Sequence, residues 1–367
     1  MLDFAPNTAP PKTHYLSQYN NKNIHSVMYD SAPYRGRPTR VFAYLGFPEG
    51  AENKPVPAVV LVHGGGGTAF PQWVKCWTER GYAALAMDTE GHMPTNNSTT
   101  APELIYHDHS GPSRQGEFFD IDLPVEEQWG YHALHAISSG LSLLQSDKRI
   151  LPDKIGLCGI SWGGILSALS LCLDPRFAFA VPIYGCGFLP AGQSYFGSVF
   201  RNPKIKTLYD PSEAFQKTKL PVLWINGGQD YHFPPSCTSL SAEYCPRGSM
   251  LLLPDLAHGH DSGWAVDEVY AFADSICFDT PPLLTIAGQS AAGLIYEGSC
   301  REACLVWSPT GVAYTNEGSE TLWETEPATV LAKESRVMWE IPPDAKCYFV
   351  NLTDIYGRTI SSCLVNL

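Results

Sequence analysis

The sequence predicts an α/β protein: a mostly parallel sheet flanked by helices, followed by a small C-terminal all-β sandwich. Three observations carry that prediction. From about residue 41 to residue 279, short β-branched apolar runs alternate with stretches of helical periodicity. The runs are apolar throughout rather than alternating, as strands buried on both faces require. After Asp279 the texture changes to short strand-like runs separated by turns. The 367 residues also exceed the length at which one core usually stops growing, which favours a large domain plus a smaller one.

Taken in order, Val41 to Phe47 and PAVVLVHGGGG (Pro57 to Gly67) read as strands, the second ending in a glycine cluster. A helical stretch from Phe70 to Arg80 is stopped by Gly81, and YAALAMD supplies the next strand. Thr89 to Glu127 is polar, acidic and too long for an ordinary connection, so it reads as a functional loop or insertion. Gln128 to Gln145 has helical spacing, and Ile155 to Cys158 is a strand running into CGISWGG. FAFAVPIYG, PVLWING and SMLLLPD are further buried-type strands, and WAVDEVYAFADSICF is the last helix before a Pro-rich junction. Beyond it, CLVWS, VAYTN, SRVMWEI, KCYFVNLTD and TISSCLV read as strands of the sandwich. The expected organisation is an N-terminal extension at 1–23, a main domain at 24–280 and an all-β accessory domain at 281–367.

A net charge of −13 without a compensating Lys/Arg run argues against nucleic acid or an anionic membrane as partner, and favours a neutral or cationic small molecule. The 11 cysteines are irregularly spaced, and Cys158, Cys172, Cys186 and Cys277 sit in apolar runs, which suits a reducing compartment. Cys300 and Cys304 match neither zinc nor redox spacing. The N-terminal residues lack the basic start and apolar core of an export signal. The expected location is therefore the cytoplasm, or a secreted or periplasmic one if a leader has been removed.

The pattern GxSxG around Ser161 is weak by itself. Its context strengthens it: Ser161 follows a strand and precedes a helix, with Gly159 and Gly163 leaving room for a strained turn and Gly164 for close helix–strand approach. Acyl transfer by a serine needs three further parts, namely a histidine base, a carboxylate to orient it and donors for the oxyanion. Asp230 ends PVLWINGGQD, a buried strand running into a Gly-Gly turn. His258 lies just past the next strand in LLLPDLAHGH; it is preferred over His260 because it is reached first and Gly259 beside it allows close approach. In HGGGG, His63 to Gly67, the N–H of Gly65 or Gly66 could join that of Trp162 around an oxyanion. The remaining histidines read as surface or core residues, with His107 and His109 a weak metal pair. Among aromatic residues on expected loops, Trp129, Tyr184 and Tyr231 are candidates for binding substrate.

Through VLVHGGGG, GLCGISWGG, DPRFAFAVPIYGCGFL, PVLWINGGQDYHFP and LLLPDLAHGH, residues 24–279 resemble the α/β-hydrolase superfamily, and within it the dienelactone hydrolase, acetyl xylan esterase and prolyl oligopeptidase-like branch. The resemblance implies an α/β-hydrolase fold and a serine hydrolase with the triad Ser161, Asp230 and His258, needing no metal or cofactor. Dienelactone hydrolases proper use a cysteine nucleophile; Ser161 stands here, which points to ordinary ester hydrolysis. The C-terminal AKCYFVNLTDIYGRTISS is similar to the β-rich extension of some bacterial hydrolases. The expected substrate is a short-acyl, acetyl-type ester, on a carbohydrate in one reading. A peptidase of the prolyl oligopeptidase-like type and a non-catalytic binding protein are the alternatives. Thr89–Glu127 and Leu189–Lys219 are the expected specificity loops.

Overall fold

A computed structural model describes residues 1–20, 23–96, 98–291, 293–314 and 318–367, the side chains of 18–20 excepted. The chain packs as two compact units, Met1–Pro182 with Asn202–Pro211, and Ile183–Arg201 with Ser212–Leu367.

In the first unit β1 (Thr13–Asn20), β2 (Ile24–Tyr34) and β3 (Arg37–Gly46) form an antiparallel meander. β4 (Val56–Val62) is buried from Pro57 to Val62, as a run apolar on both faces demands. Pro71 opens α1 (Pro71–Thr78) at a position where its missing N–H costs nothing. The chain then enters β5 (Ala83–Met87), which pairs parallel to β4 and antiparallel to β3. Within the long polar segment, β6 (His92–Pro94) and β7 (Leu104–Tyr106) make a small separate hairpin. α2 (Trp129–Ser146) follows, then β8 (Ile150–Ile160) parallel to β4, and α3 (Trp162–Leu173), which is buried from Trp162 to Leu171. β9 (Phe179–Ile183) ends where the chain leaves this unit. Two short helices come next, α4 (Tyr195–Phe200) in the second unit and α5 (Pro203–Tyr209) back in the first; Ser194 and Asn202 cap them. The N-terminal residues read as an extension are built into the first unit. Asn7 donates to Ser138 and Ser139 of α2 at 3.0 Å each, and its carbonyl accepts from Arg176 at 3.2 Å.

The second unit contains β10 (Val222–Gly227), α6 (Pro235–Tyr244), β11 (Gly248–Leu253), α7 (His260–Trp264) and α8 (Asp267–Cys277), with β10 and β11 parallel. The C-terminal strands are β12 (Thr285–Ser290), β13 (Gly293–Glu297), β14 (Cys300–Ser308), β15 (Glu324–Leu331), β16 (Arg336–Met338), β17 (Cys347–Asp354), β18 (Thr359–Ser361) and β19 (Val365–Asn366). β18 pairs antiparallel with β11 through Met250 and Ser361, and β17, β14 and β15 continue from it. β15 then turns from β14 onto β16, which carries β13 and β12. Residues 281–367 thus share one compact unit with the last two parallel strands. VAYTN is not a strand over its described part: Tyr314 makes an isolated bridge to Ser319, while Thr315 and Asn316 lie outside the described residues.

Candidate active site

β8 stops at Ile160 and α3 starts at Trp162; Ser161 between them holds φ 58° and ψ −115°. A non-glycine residue there stores about 1–3 kcal/mol of strain, which persists only where the surroundings impose it. Two glycines make room for it. A Cβ on Gly159 would lie 2.1 Å from the Gly163 carbonyl oxygen, and one on Gly163 would lie 2.0 Å from that of Val62. Gly163 thus makes a close approach of α3 to the end of β4. The parallel register pairs Val62 with Gly159, so β4 and β8 end side by side and deliver HGGGG next to the serine turn.

His63, 2% exposed, fixes the start of the glycine loop. Its Nε2 accepts the Thr89 N–H at 3.0 Å, so Nδ1 carries the proton and donates to the Gly64 carbonyl at 2.7 Å. Asp88 ties the far end, accepting from Thr68 at 2.8 Å and from the backbone N–H groups of Glu90 and His92 at 2.9 and 2.8 Å. Among the described residues no hydrogen bond engages the N–H of Gly65 or Gly66. Gly65 lies under the Trp162 indole and the Arg114 guanidinium, which a Cβ would meet at 2.7 and 3.2 Å. Arg114 stands 5.3 Å from the Trp162 ring centroid and donates from Nε to Glu90 at 2.9 Å. Sequence reasoning missed Arg114 and Glu90, because a lone Arg in a polar segment has no periodicity to mark it.

In the second unit Asp230, 3% exposed, accepts three hydrogen bonds. The N–H groups of His232 and Phe233 reach Oδ1, each at 2.9 Å, and His258 Nδ1 reaches Oδ2 at 2.8 Å. A carboxylate only accepts, so Nδ1 carries the proton and Nε2 presents its lone pair. The imidazole, with 27% of its side chain exposed, packs 4.6 Å from the Tyr184 ring and lies nearly parallel to Phe233 at 6.0 Å. His260 occupies the first turn of α7, its ring 6.3 Å from Trp264. The residue joined to Asp230 is His258. Ser161, Trp162, Gly65 and Gly66 belong to the first unit; Asp230, His258 and Tyr231 belong to the second.

Two substrate-binding candidates are corrected by burial. Trp129 is 1% exposed; its indole N–H donates to the Thr89 carbonyl at 2.7 Å and its backbone N–H to Asp120 at 2.6 Å, so it anchors the long loop. Tyr184 is fully buried, donates its hydroxyl to the Ala257 carbonyl at 2.7 Å and supports the His258 ring from below; burial, then Asp230, push its hydroxyl pKa well up. Tyr231 stays half-buried, beside His232 and Tyr314. His107 is buried, His109 lies two residues on, and among the described residues no group of three or more His, Cys, Asp or Glu is placed to hold a metal. Cys158 is fully buried and burial pushes its thiol far up, so it packs. Cys300 and Cys304 are free thiols. Among the described residues no helix is long and apolar enough to cross a membrane.

The sheet, its flanking helices and the strand ends that carry these residues define an α/β-hydrolase fold. Within that class the chain belongs to the dienelactone hydrolase family, whose model matches residues 41–245, more than half of the chain. The putative hydrolase YtaP of Bacillus subtilis (strain 168) is 26% identical over 156 residues, which are 38% of this chain and 47% of that protein; the chain spans about half the length of that relative. Acetyl xylan esterase 1 from Thermoanaerobacterium sp. JW/SL YS485 superposes with a TM-score of 0.57 at 17% identity, over 74% of this chain and 90% of its own. The acetyl xylan esterase from Paenibacillus sp. R4 gives 0.56 at 19%, over 72% and 88%. Acylaminoacyl peptidase from Pyrococcus horikoshii gives 0.53 at 16%, over 72% of this chain and 43% of its own.

Proposed function

We propose that this protein is a serine carboxylic-ester hydrolase that works through an acyl-enzyme, with Ser161 as nucleophile, His258 as base and Asp230 as its orienting acid. The observation that carries the proposal is the Asp230–His258 pair: a buried carboxylate, pinned by two backbone N–H groups, holding Nδ1 at 2.8 Å so that Nε2 is the basic nitrogen. Strain at Ser161 supports the same reading, because a serine is kept at such φ and ψ where its hydroxyl must be presented from a turn.

In the first step His258 Nε2 takes the Ser161 proton as Oγ attacks the ester carbonyl. The oxyanion is met by the N–H of Trp162 and of Gly65 or Gly66, the glycine donors being unengaged within the described residues. The imidazolium, stabilised by Asp230, then protonates the departing alcohol. Water, deprotonated by the same nitrogen, frees the acid and restores Ser161. The shared fold of two acetyl xylan esterases supports an acetyl ester, on a carbohydrate, as the first substrate class, with Tyr231 as the one of the three aromatic candidates that is not fully buried.

p-Nitrophenyl acetate, longer acyl esters and an aminoacyl anilide, assayed on wild type, Ser161→Ala, His258→Ala and His260→Ala, test the proposal. Acetate turnover is expected to exceed the others and to fall by about 10⁴-fold or more in Ser161→Ala and His258→Ala. Turnover of the anilide alone would transfer the assignment to a peptidase. Loss confined to His260→Ala would overturn the choice of base.

A further inference from the structure

The loop that carries Asp230 runs from β10 to α6, and its two halves are held by different parts of the second unit. Residues after the aspartate are held locally, by the N–H groups of His232 and Phe233 on Oδ1. Residues before it are held by a segment far along the chain, the one leading into β15. Trp323 donates its indole N–H to the Gly228 carbonyl at 3.0 Å, and Gln229 donates its side-chain amide to the Thr321 carbonyl at 2.5 Å. The indole presses on Gly228 closely enough that a Cβ there would lie 2.6 Å from its nitrogen. Trp323 is itself held edge-on by Phe349 of β17, ring centroids 5.2 Å apart. Thr321 is 1% exposed and its hydroxyl accepts the Ala313 N–H at 3.1 Å. Tyr314 completes the contact, its ring 6.4 Å from that of Tyr231.

From this arrangement we propose that the C-terminal β segment is part of the catalytic apparatus, with Trp323 and the Thr321 carbonyl acting as positioning elements that set the loop bearing Asp230. The inference rests on the proposed roles of Ser161, Asp230 and His258. Trp323 and the Thr321 carbonyl act through Gly228 and Gln229, two residues and one residue before Asp230. Displacement of a reacting group by about 1 Å can cost on the order of a hundredfold in rate, so a partial loosening is expected to cost less.

Trp323→Phe keeps a ring against Phe349 and removes only the donor to Gly228. With p-nitrophenyl acetate its kcat is expected to fall roughly tenfold with KM within about twofold, and the acidic limb of its pH–kcat profile is expected to move, which a merely structural role would not produce. Gln229→Met, at an exposed position, is expected to act in the same direction by roughly threefold with an unchanged unfolding midpoint; it decides the matter alone should Trp323→Phe not fold. Wild-type kcat and pH profile in the folded variants, beside an inactive Ser161→Ala, would overturn this inference and leave the triad standing. Full activity in Ser161→Ala would overturn both.

Discussion

A methyl group at Gly163 would sit 2.0 Å from the Val62 carbonyl oxygen and 2.7 Å from that of His63, and neither backbone atom can give way without lifting α3 off β4. Gly66 poses the opposite problem: nothing lies within 4 Å of where its Cβ would be, but its φ is +70°. Alanine should therefore separate space from conformation. Gly66→Ala is expected to cost about 1–2 kcal/mol, the penalty of a left-handed residue, and to keep the fold. Gly163→Ala is expected to cost about 3 kcal/mol or more, because the overlap is with main chain. Urea denaturation of the two variants checks this, and equal losses would mean that crowding is not what selects glycine at 163. In the sequence both positions were legible as places needing glycine, whereas the atoms that exclude a side chain come from another strand. His258 and His260 show the same limit. Two residues apart, they look nearly alike in sequence, and only the hydrogen bond to Asp230 tells them apart.

Among the elements, the strands most legible in the sequence are those buried on both faces. β4, β5, β9 and β10 are continuous apolar runs, buried at nearly every position, and the helices between them carry the expected spacing. β1, β2, β12, β13 and β15 do not stand out as strands in the sequence: β12 and β15 expose most of their residues, β1 shows no consistent apolar face, β2 mixes polar with apolar residues and β13 is short, so their hydrogen bonds come from neighbouring strands rather than from a clear pattern in their own residues. The long polar segment is legible as a functional loop or insertion, but what holds it is not. Trp129 and Asp120 fasten one end, and Arg114 with Glu90 fastens it against Trp162, both side chains of that ion pair being largely buried at 18% and 12% exposure. Arg114→Met should leave the Glu90 charge unpaired and cost about 2–3 kcal/mol. Glu90→Gln together with Arg114→Met should cost less than the sum of the two single changes, since the second removes the charge the first strands. Additive losses in denaturant melts would show that the pair does not work as a unit.

For the molecule as a whole, burial of histidines sets the expected response to acid. Burial lowers the pKa of His107, His132 and His135 from the ordinary 6.5, and brings His135 to about 4. Desolvation is the first cause in each; for His135 the neighbouring His132 adds to it, while its ring packs 4.6 Å from Phe4 and 4.4 Å from Tyr131. Between the lowered pKa values and 6.5 the unfolded chain binds more protons than the folded one, so stability falls as the pH falls through that window and is unaffected by these groups above it. The unfolding midpoint is accordingly expected to be flat above about pH 7 and to drop progressively toward pH 4. His135→Phe removes one of the titrating groups while keeping an aromatic ring between Phe4 and Tyr131. It should therefore narrow the difference between midpoints measured near pH 5 and near pH 7.5. An unchanged difference would mean that protons enter elsewhere in this window, and that His135 is not kept neutral by its surroundings.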